Sequence, residues 1–244
     1  MVVRLTARDM RMIAKCAICR WLTTDQIKRL YFPKATLNAV QKRLRKLSDA
    51  GYLRSWREHP TAESFHAVGS KGKVIAEERG VEVMTLAEAP RQSEHLWGVN
   101  ELRLAVEGGR VPVQYFFAYW QLADLGWRHS VIPDAVFAVR APGRRAFVAE
   151  YDRGTETLDK LLGKIERYGD GFAGFPFEAV VVVTEETRRL DLLARGMKGK
   201  RVPAVLAATI GEIREAGVWD AAFTELPVGR KWEILAGGDD DGER

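Results

Sequence analysis

The sequence predicts a mixed α/β chain in two domains, a mainly helical N-terminal one and a larger α/β sandwich behind it. Three observations lead there. Charge is unevenly divided: residues 1–80 hold 17 Lys and Arg against 7 Asp and Glu, a net of +10, while residues 81–244 hold 21 against 26, a net of −5. Apolar residues in the first fifty positions recur at helical spacing, whereas after residue 110 they gather in short strand-like runs separated by amphipathic segments. At 244 residues the chain can bury two cores.

Residues 6–22 read as a first helix, with Met10, Ile13, Ala14, Ala17 and Ile18 on one face. "TTDQIKRLYF" follows as a short helix that Thr23 or Thr24 can cap and that Pro33 ends. In "KATLNAVQKRLRKLSDAGYL" the buried stripe is Leu37, Val40, Leu44 and Leu47. Asn38, Gln41, Lys42, Arg45 and Lys46 then point outward, and Gly51 closes the helix. Residues 52–57 and 64–68 form two short strands joined by "EHPTAE", and "GSKGKVIAEERG" starts another helix.

An outward face of amides and cations on a third helix is what a helix-turn-helix domain requires. Asn and Gln can read adenine edges, while Lys and Arg take guanine or phosphate. A solvated surface helix would present the same face. The order of three helices, a two-stranded ribbon and a further helix resembles the winged-helix family, and "FHAVGSKGKVIAEE" is similar to that family's exit from the wing. The resemblance implies contacts to double-stranded DNA from Lys34, Thr36, Asn38, Gln41, Lys42, Arg45, Lys46 and Arg57.

No run of about 18 uncharged apolar residues is present, so no membrane partner is expected. Charges interrupt "MVVRLTARDMRMIAKCAICRW" too often for a signal peptide, and the expected location is the cytosol. Cys16 and Cys19 have metal or redox spacing, but His59 and His66 do not complete a recognisable zinc set. Buried thiols are expected instead. The sequence contains neither a phosphate-binding Gly-rich loop nor a serine or cysteine triad signature.

Residues 81–93 lose periodicity and read as a linker. Ser93 can cap a helix reaching about residue 106, with Leu96, Val99, Leu102 and Val106 buried. Strands are expected at 113–121, 134–139, 146–151, 177–184 and 204–209, with helices at 155–168 and 185–196. Several strands are apolar on both faces, which implies helices covering each side of the sheet in an αβββαβ order extended by a further helix and strand. This domain spans 94–235, and "AGGDDDGER" supplies a flexible acidic tail at 236–244.

The strands at 134–139 and 146–151 flank a Pro-Gly turn and should form a hairpin. Glu150 and Asp152 share a face of the second strand. Partner numbers in an antiparallel pair sum to a constant: 284 sets Asp134 opposite Glu150, 286 sets it opposite Asp152, and 285 sets it opposite Tyr151. Carboxylates about 5 Å apart across a pair can share a cation. Magnesium, Lys160, Lys164 or solvent would each relieve them. His95, Asn100 and His129 fit ordinary hydrogen-bonding roles.

Pro133 and Asp134, then Glu150, within this frame resemble the PD-(D/E)xK nuclease superfamily. "IPDAVF", then "AEYDRGTE", then lysines and a tyrosine on the next helix, together with the N-terminal module, resemble the replication-relaxation family of actinobacterial plasmids and integrative elements. That resemblance covers about residues 5–210. It implies a winged helix followed by a restriction-endonuclease-like domain, with Asp134 and Glu150 at metal-ligand positions. Asp152 would be a third acidic ligand, and Lys160 and Lys164 are catalytic candidates. Nuclease members usually carry a lysine two residues after the Glu, where this chain has Asp152, and an acid cannot stabilise developing negative charge.

The reading favoured here is a sequence-specific DNA-binding protein of a plasmid or mobile element, with a lapsed nuclease-like domain used for homodimer contacts or for replication or conjugation proteins. Its rivals are a magnesium-dependent endonuclease that nicks plasmid DNA and a plain transcriptional repressor.

Overall fold

The computed structural model describes residues 3–59, 62–83, 88, 92–109, 111–140, 144–169, 175–218, 221 and 223–232. Much of the expected linker, parts of the loops at 60–61 and 141–143, and the acidic tail lie outside them. The chain is mixed α/β with two sheets, and it divides into two compact units, Met1–Ser93 and Glu94–Arg244.

The first unit runs α1 (Ala7–Ile18), β1 (Leu22–Thr23), α2 (Thr24–Tyr31), α3 (Leu37–Asp49), β2 (Leu53–Trp56), β3 (Phe65–Val68) and α4 (Ser70–Glu77). Side-chain caps set its helix starts. Thr6 and Asp9 form a reciprocal capping box on α1, Thr23 and Gln26 do the same on α2, and the Thr36 hydroxyl accepts from the Ala39 amide. At the end of α3, Gly51 takes φ +80° and the Tyr52 amide reaches back to the Leu47 carbonyl, which turns the chain into the ribbon. The sheet is antiparallel in the order β1-β3-β2.

Three details differ from the sequence reading. The first helix stops at Ile18, because Leu22 and Thr23 pair with His66 and Phe65 across β3. The buried side of α1 is Met12, Ile13, Ala14 and Cys16, while Met10, Ala17 and Ile18 are only half-buried. Leu37, in the first turn of α3, is 49% exposed, and the neighbours cover that helix only from Val40 onward. Helical spacing marks a face; it does not say how far along that face other elements reach.

A charge passed over by the apolar pattern orients α1. Asp9 is wholly buried, and Arg43 of α3 grips both of its oxygens, Nε to Oδ1 at 3.1 Å and Nη2 to Oδ2 at 2.5 Å. Burial works to raise the Asp9 pKa, but hydrogen bonds from Arg43 and Thr6 outweigh it and hold the carboxyl below its usual range. Cys16 and Cys19 are buried thiols, as expected, and burial pushes the Cys16 thiol up.

The second unit carries α5 (Ser93–Glu107), β4 (Val113–Ala118), α6 (Tyr119–Leu122), β5 (Ala135–Arg140), β6 (Arg144–Asp152), α7 (Leu158–Gly169), β7 (Ala179–Thr184), α8 (Thr187–Met197), β8 (Val205–Thr209), α9 (Ile210–Ala216), β9 (Phe223–Leu226) and β10 (Arg230–Trp232). Its seven strands lie in the order β10-β9-β8-β7-β6-β5-β4. Strands β4 to β6 are antiparallel, β6 to β8 are parallel, and β9 and β10 extend the far edge antiparallel. Alternation along the strands makes two apolar layers. Phe137, Phe147 and Tyr151 join Val99, Leu102 and Ile213 in one, while Val136, Val148 and Val182 join Leu161, Ile165 and Leu193 in the other.

The strand expected to reach residue 121 ends at Ala118, where Gln121 Oε1 accepts from the Ala118 amide and starts the short α6. Ser93, expected to cap α5, is its first residue. No helix among the described residues is long and apolar enough to cross a membrane.

Truncating either partner of the Asp9–Arg43 pair should cost on the order of 3 kcal/mol, since it leaves a charge without compensation. In urea denaturation Asp9→Ala and Arg43→Ala are each expected to lower the midpoint, and the double variant to lose less than the sum. The Asp9 contribution should be complete above about pH 4 and vanish as pH falls through its lowered folded-state pKa. Additive losses would show that the pair carries no coupling.

Candidate functional site

Asn38, Gln41, Lys42, Arg45 and Lys46 are all exposed along α3, opposite the buried Val40, Leu44 and Leu47. Lys34 and Thr36 are exposed at its start. Arg57 is exposed just past β2, donating from Nε to Ser64 Oγ at 3.0 Å. A polar chain, exposed at Ser55 and buried at His66, ties this helix to the ribbon. Ser48 of α3 meets Ser55 at 2.7 Å, Ser55 meets His66 Nδ1 at 2.9 Å, and His66 Nε2 meets Thr24 Oγ1 at 2.9 Å. Burial, with the nearby Arg57 charge, lowers the His66 pKa to about 4, so the ring is neutral at pH 7 and can accept on one nitrogen while donating on the other.

The second cluster is built on β5 and β6. Their register sums to 284, with Ala135 against Ala149 and Phe137 against Phe147, which extends to place Asp134 at the strand end beside Glu150. Glu150 faces α7, where Lys164 and Tyr168, four residues apart, share a side of the helix. Lys164 Nζ donates to Glu150 Oε2 at 2.5 Å, and the Tyr168 hydroxyl donates to Oε1. Lys160, one turn earlier, is exposed.

Asp134 accepts from His95 Nε2 at 3.0 Å and from the Tyr151 amide at 2.8 Å. His95 reaches it because α5 lies very close to β6. A Cβ at Gly98 would stand 1.9 Å from Tyr151 Cε1, a spacing only glycine tolerates. Asp152 does not join the pair. Arg189 of α8 holds it, Nε to Oδ2 at 2.5 Å, and the Gly154 amide adds 2.9 Å.

Buried carboxylates side by side are costly, and the shifts show how the cost is met. Burial first, then the charge of Asp134, pushes Glu150 up to about 8, against Lys164 and Tyr168, which favour its ionised form. Asp134 is held low, since His95 and Lys164 overcome the effect of burial. His95 and Lys164 are both raised despite burial, His95 chiefly by Asp134 and Lys164 chiefly by Glu150. Asp134 is thus compensated by His95 and Lys164, while burial draws Glu150 toward its protonated form.

Among the described residues, no group of three or more His, Cys, Asp or Glu is arranged to hold a metal. Asp134 and Glu150 alone are hard oxygen donors of the kind magnesium takes in pairs, and each oxygen, with one donor, retains a lone pair. The two residues fit that ion; Asp152 is committed to Arg189. Magnesium bound there would polarise a phosphodiester.

Lys160 and Lys164 stood as alternatives that the packing of α7 separates, while the acids were legible from spacing. His95 was not: a histidine 39 positions from its partner carries no local signal, and Gly98 three residues on was the one hint of a close approach. Arg189 was likewise hidden by sequence distance, 37 positions from its acid, while Tyr168 entered only as the tyrosine of the family motif, with no acid assigned to it.

Followed by carbon NMR of the carboxyl group, Glu150 is expected to titrate near pH 8, lower in Asp134→Asn and higher in Lys164→Met. Its folded pKa lies above the unfolded value. Its contribution to stability is therefore complete below about pH 4.3 and lost as pH rises through about 8. A Glu150 pKa indifferent to both substitutions would show that these groups do not share a field.

Comparison with curated proteins and with solved structures found no match. The model of the replication-relaxation family matches residues 13–178, a span that holds α3, His95, both acids, Lys164 and Tyr168; the chain belongs to that family, which suggests a role in plasmid replication or mobility.

Proposed function

We propose that this protein binds double-stranded DNA of a plasmid or mobile element sequence-specifically, its first unit serving as a winged helix with α3 in the major groove. The observation that carries this reading is the outward face of α3, where two amides and three cations stand exposed in a segment of net charge +10 over residues 1–80. Asn38 and Gln41 have the bidentate groups that adenine edges accept, and Lys42, Arg45 and Lys46 suit guanine or phosphate. Lys34 and Thr36 at the helix start, with Arg57 on the ribbon, are suited to the flanking backbone. The polar chain through His66 holds α3 at a set angle to that ribbon.

The second unit serves, in this reading, as a nuclease-like scaffold whose chemistry has lapsed and which contacts a second copy or replication or conjugation proteins. Two features support the lapse. Asp152 stands where the nuclease resemblance calls for a lysine, and the net charge of −5 over residues 81–244 is poorly suited to gripping a polyanion.

One observation favours a second reading, a magnesium-dependent endonuclease. Lys164 lies 2.5 Å from Glu150 and close enough to Asp134 to feel its charge, so an ammonium is supplied from α7 rather than from β6. In that role Asp134 and Glu150 hold the ion and Lys164 stabilises negative charge.

Two measurements test these readings. Lys42→Ala with Arg45→Ala should weaken duplex binding and reduce the slope of log affinity against log salt by about 2, near 0.9 per lost phosphate contact. Unchanged binding would remove α3 from the interface. Supercoiled plasmid incubated with the protein and magnesium should stay intact if the chemistry has lapsed; nicking that disappears in Asp134→Ala would establish the enzyme instead.

A further inference from the structure

We infer that the start of the chain adds a second DNA contact, in which Arg4, Arg8 and Arg11 grip phosphates beside the groove that α3 reads. This rests on the DNA-binding reading above and extends it to a surface outside the helix-turn-helix. All three residues are exposed. Asp9, the one acid in the first 24 residues, is buried with its charge already matched by Arg43, so it does not offset these exposed cations.

Three contacts place them around α3. Arg43 Nη2 donates to the Arg4 carbonyl at 3.0 Å, and on the α3 surface Arg43 neighbours Ala39 and Lys46, so residue 4 lies at the edge of the cationic face. The Arg8 guanidinium sits 4.0 Å above the Phe32 ring, in the turn that leads through Lys34 into α3. The Tyr31 hydroxyl donates to the Arg11 carbonyl at 3.4 Å, and Arg8 and Arg11, three apart, share a side of α1. The same Asp9–Arg43 pair that orients α1 therefore also aligns a row of arginines with the reading helix. A guanidinium stacked on an aromatic ring has lost part of its rotamer freedom before any phosphate arrives, which favours binding.

The test measures binding of the full chain to a labelled mixed-sequence duplex of about 30 base pairs across a salt series. Arg4→Ala/Arg8→Ala/Arg11→Ala should reduce the salt slope by about 2 to 3, and the matching Arg→Lys triple should keep it. An equal charge loss on α4 and just beyond, Lys71→Ala/Lys73→Ala/Arg79→Ala, should leave the slope near wild type. A thermal melt checks that each variant is folded. An unchanged slope in the first triple while wild type binds would overturn this inference and leave the α3 reading standing, as would an equal fall in the α4 control. Wild type that fails to bind even at low salt would overturn both.

Discussion

A carboxylate withdrawn from water inside a sheet has to be met by positive charge or by a proton, and the pairing of β5 with β6 imposes that demand twice at one strand end. Asp134 and Glu150 stand together because the hairpin register sums to 284. Everything around them answers that juxtaposition. Lys164 and Tyr168 reach Glu150 from one side of the sheet, His95 reaches Asp134 from α5, and Gly98 gives α5 the room to come close. The compensation is incomplete, which is why Glu150 retains its proton up to about pH 8.

The first unit depends on a different buried charge. Asp9 caps α1 through Thr6 and at the same time receives Arg43, so one side chain sets both where the helix starts and how it lies on α3. With α1 fixed behind it, and Ser48, Ser55 and His66 tying its far end to the ribbon, α3 is held by its inner edge. Its outer edge is left to amides and cations. The proposed binding surface and the core are opposite sides of the same helix, and the stability of one presents the other.

The two units also share a device for managing polar groups. In each, an acid takes an arginine or lysine from a later helix: Asp9 takes Arg43, Glu150 takes Lys164 and Asp152 takes Arg189. The last of these bears directly on chemistry, because it draws Asp152 away from the acid pair and leaves a two-acid site. The family match ends at residue 178, before Arg189.

The sequence by itself determined the mixed α/β class, most of the elements and the outward face of α3, and it nominated Asp134 and Glu150 together with Lys160 or Lys164. Each is written in local spacing, at period 3.6 or 2, or as an acid at a strand end. It left the hairpin register among three sums, placed Leu37 in the core, ran the first helix through Leu22, gave His95 a hydrogen-bonding role without naming its partner, and passed over Asp9, Arg43 and Arg189. Those outcomes were decided only by tertiary structure, because each depends on how far a neighbouring element reaches or on a partner 17 to 42 positions away. Local periodicity says which way a side chain points; which charge it meets there is settled when the elements pack.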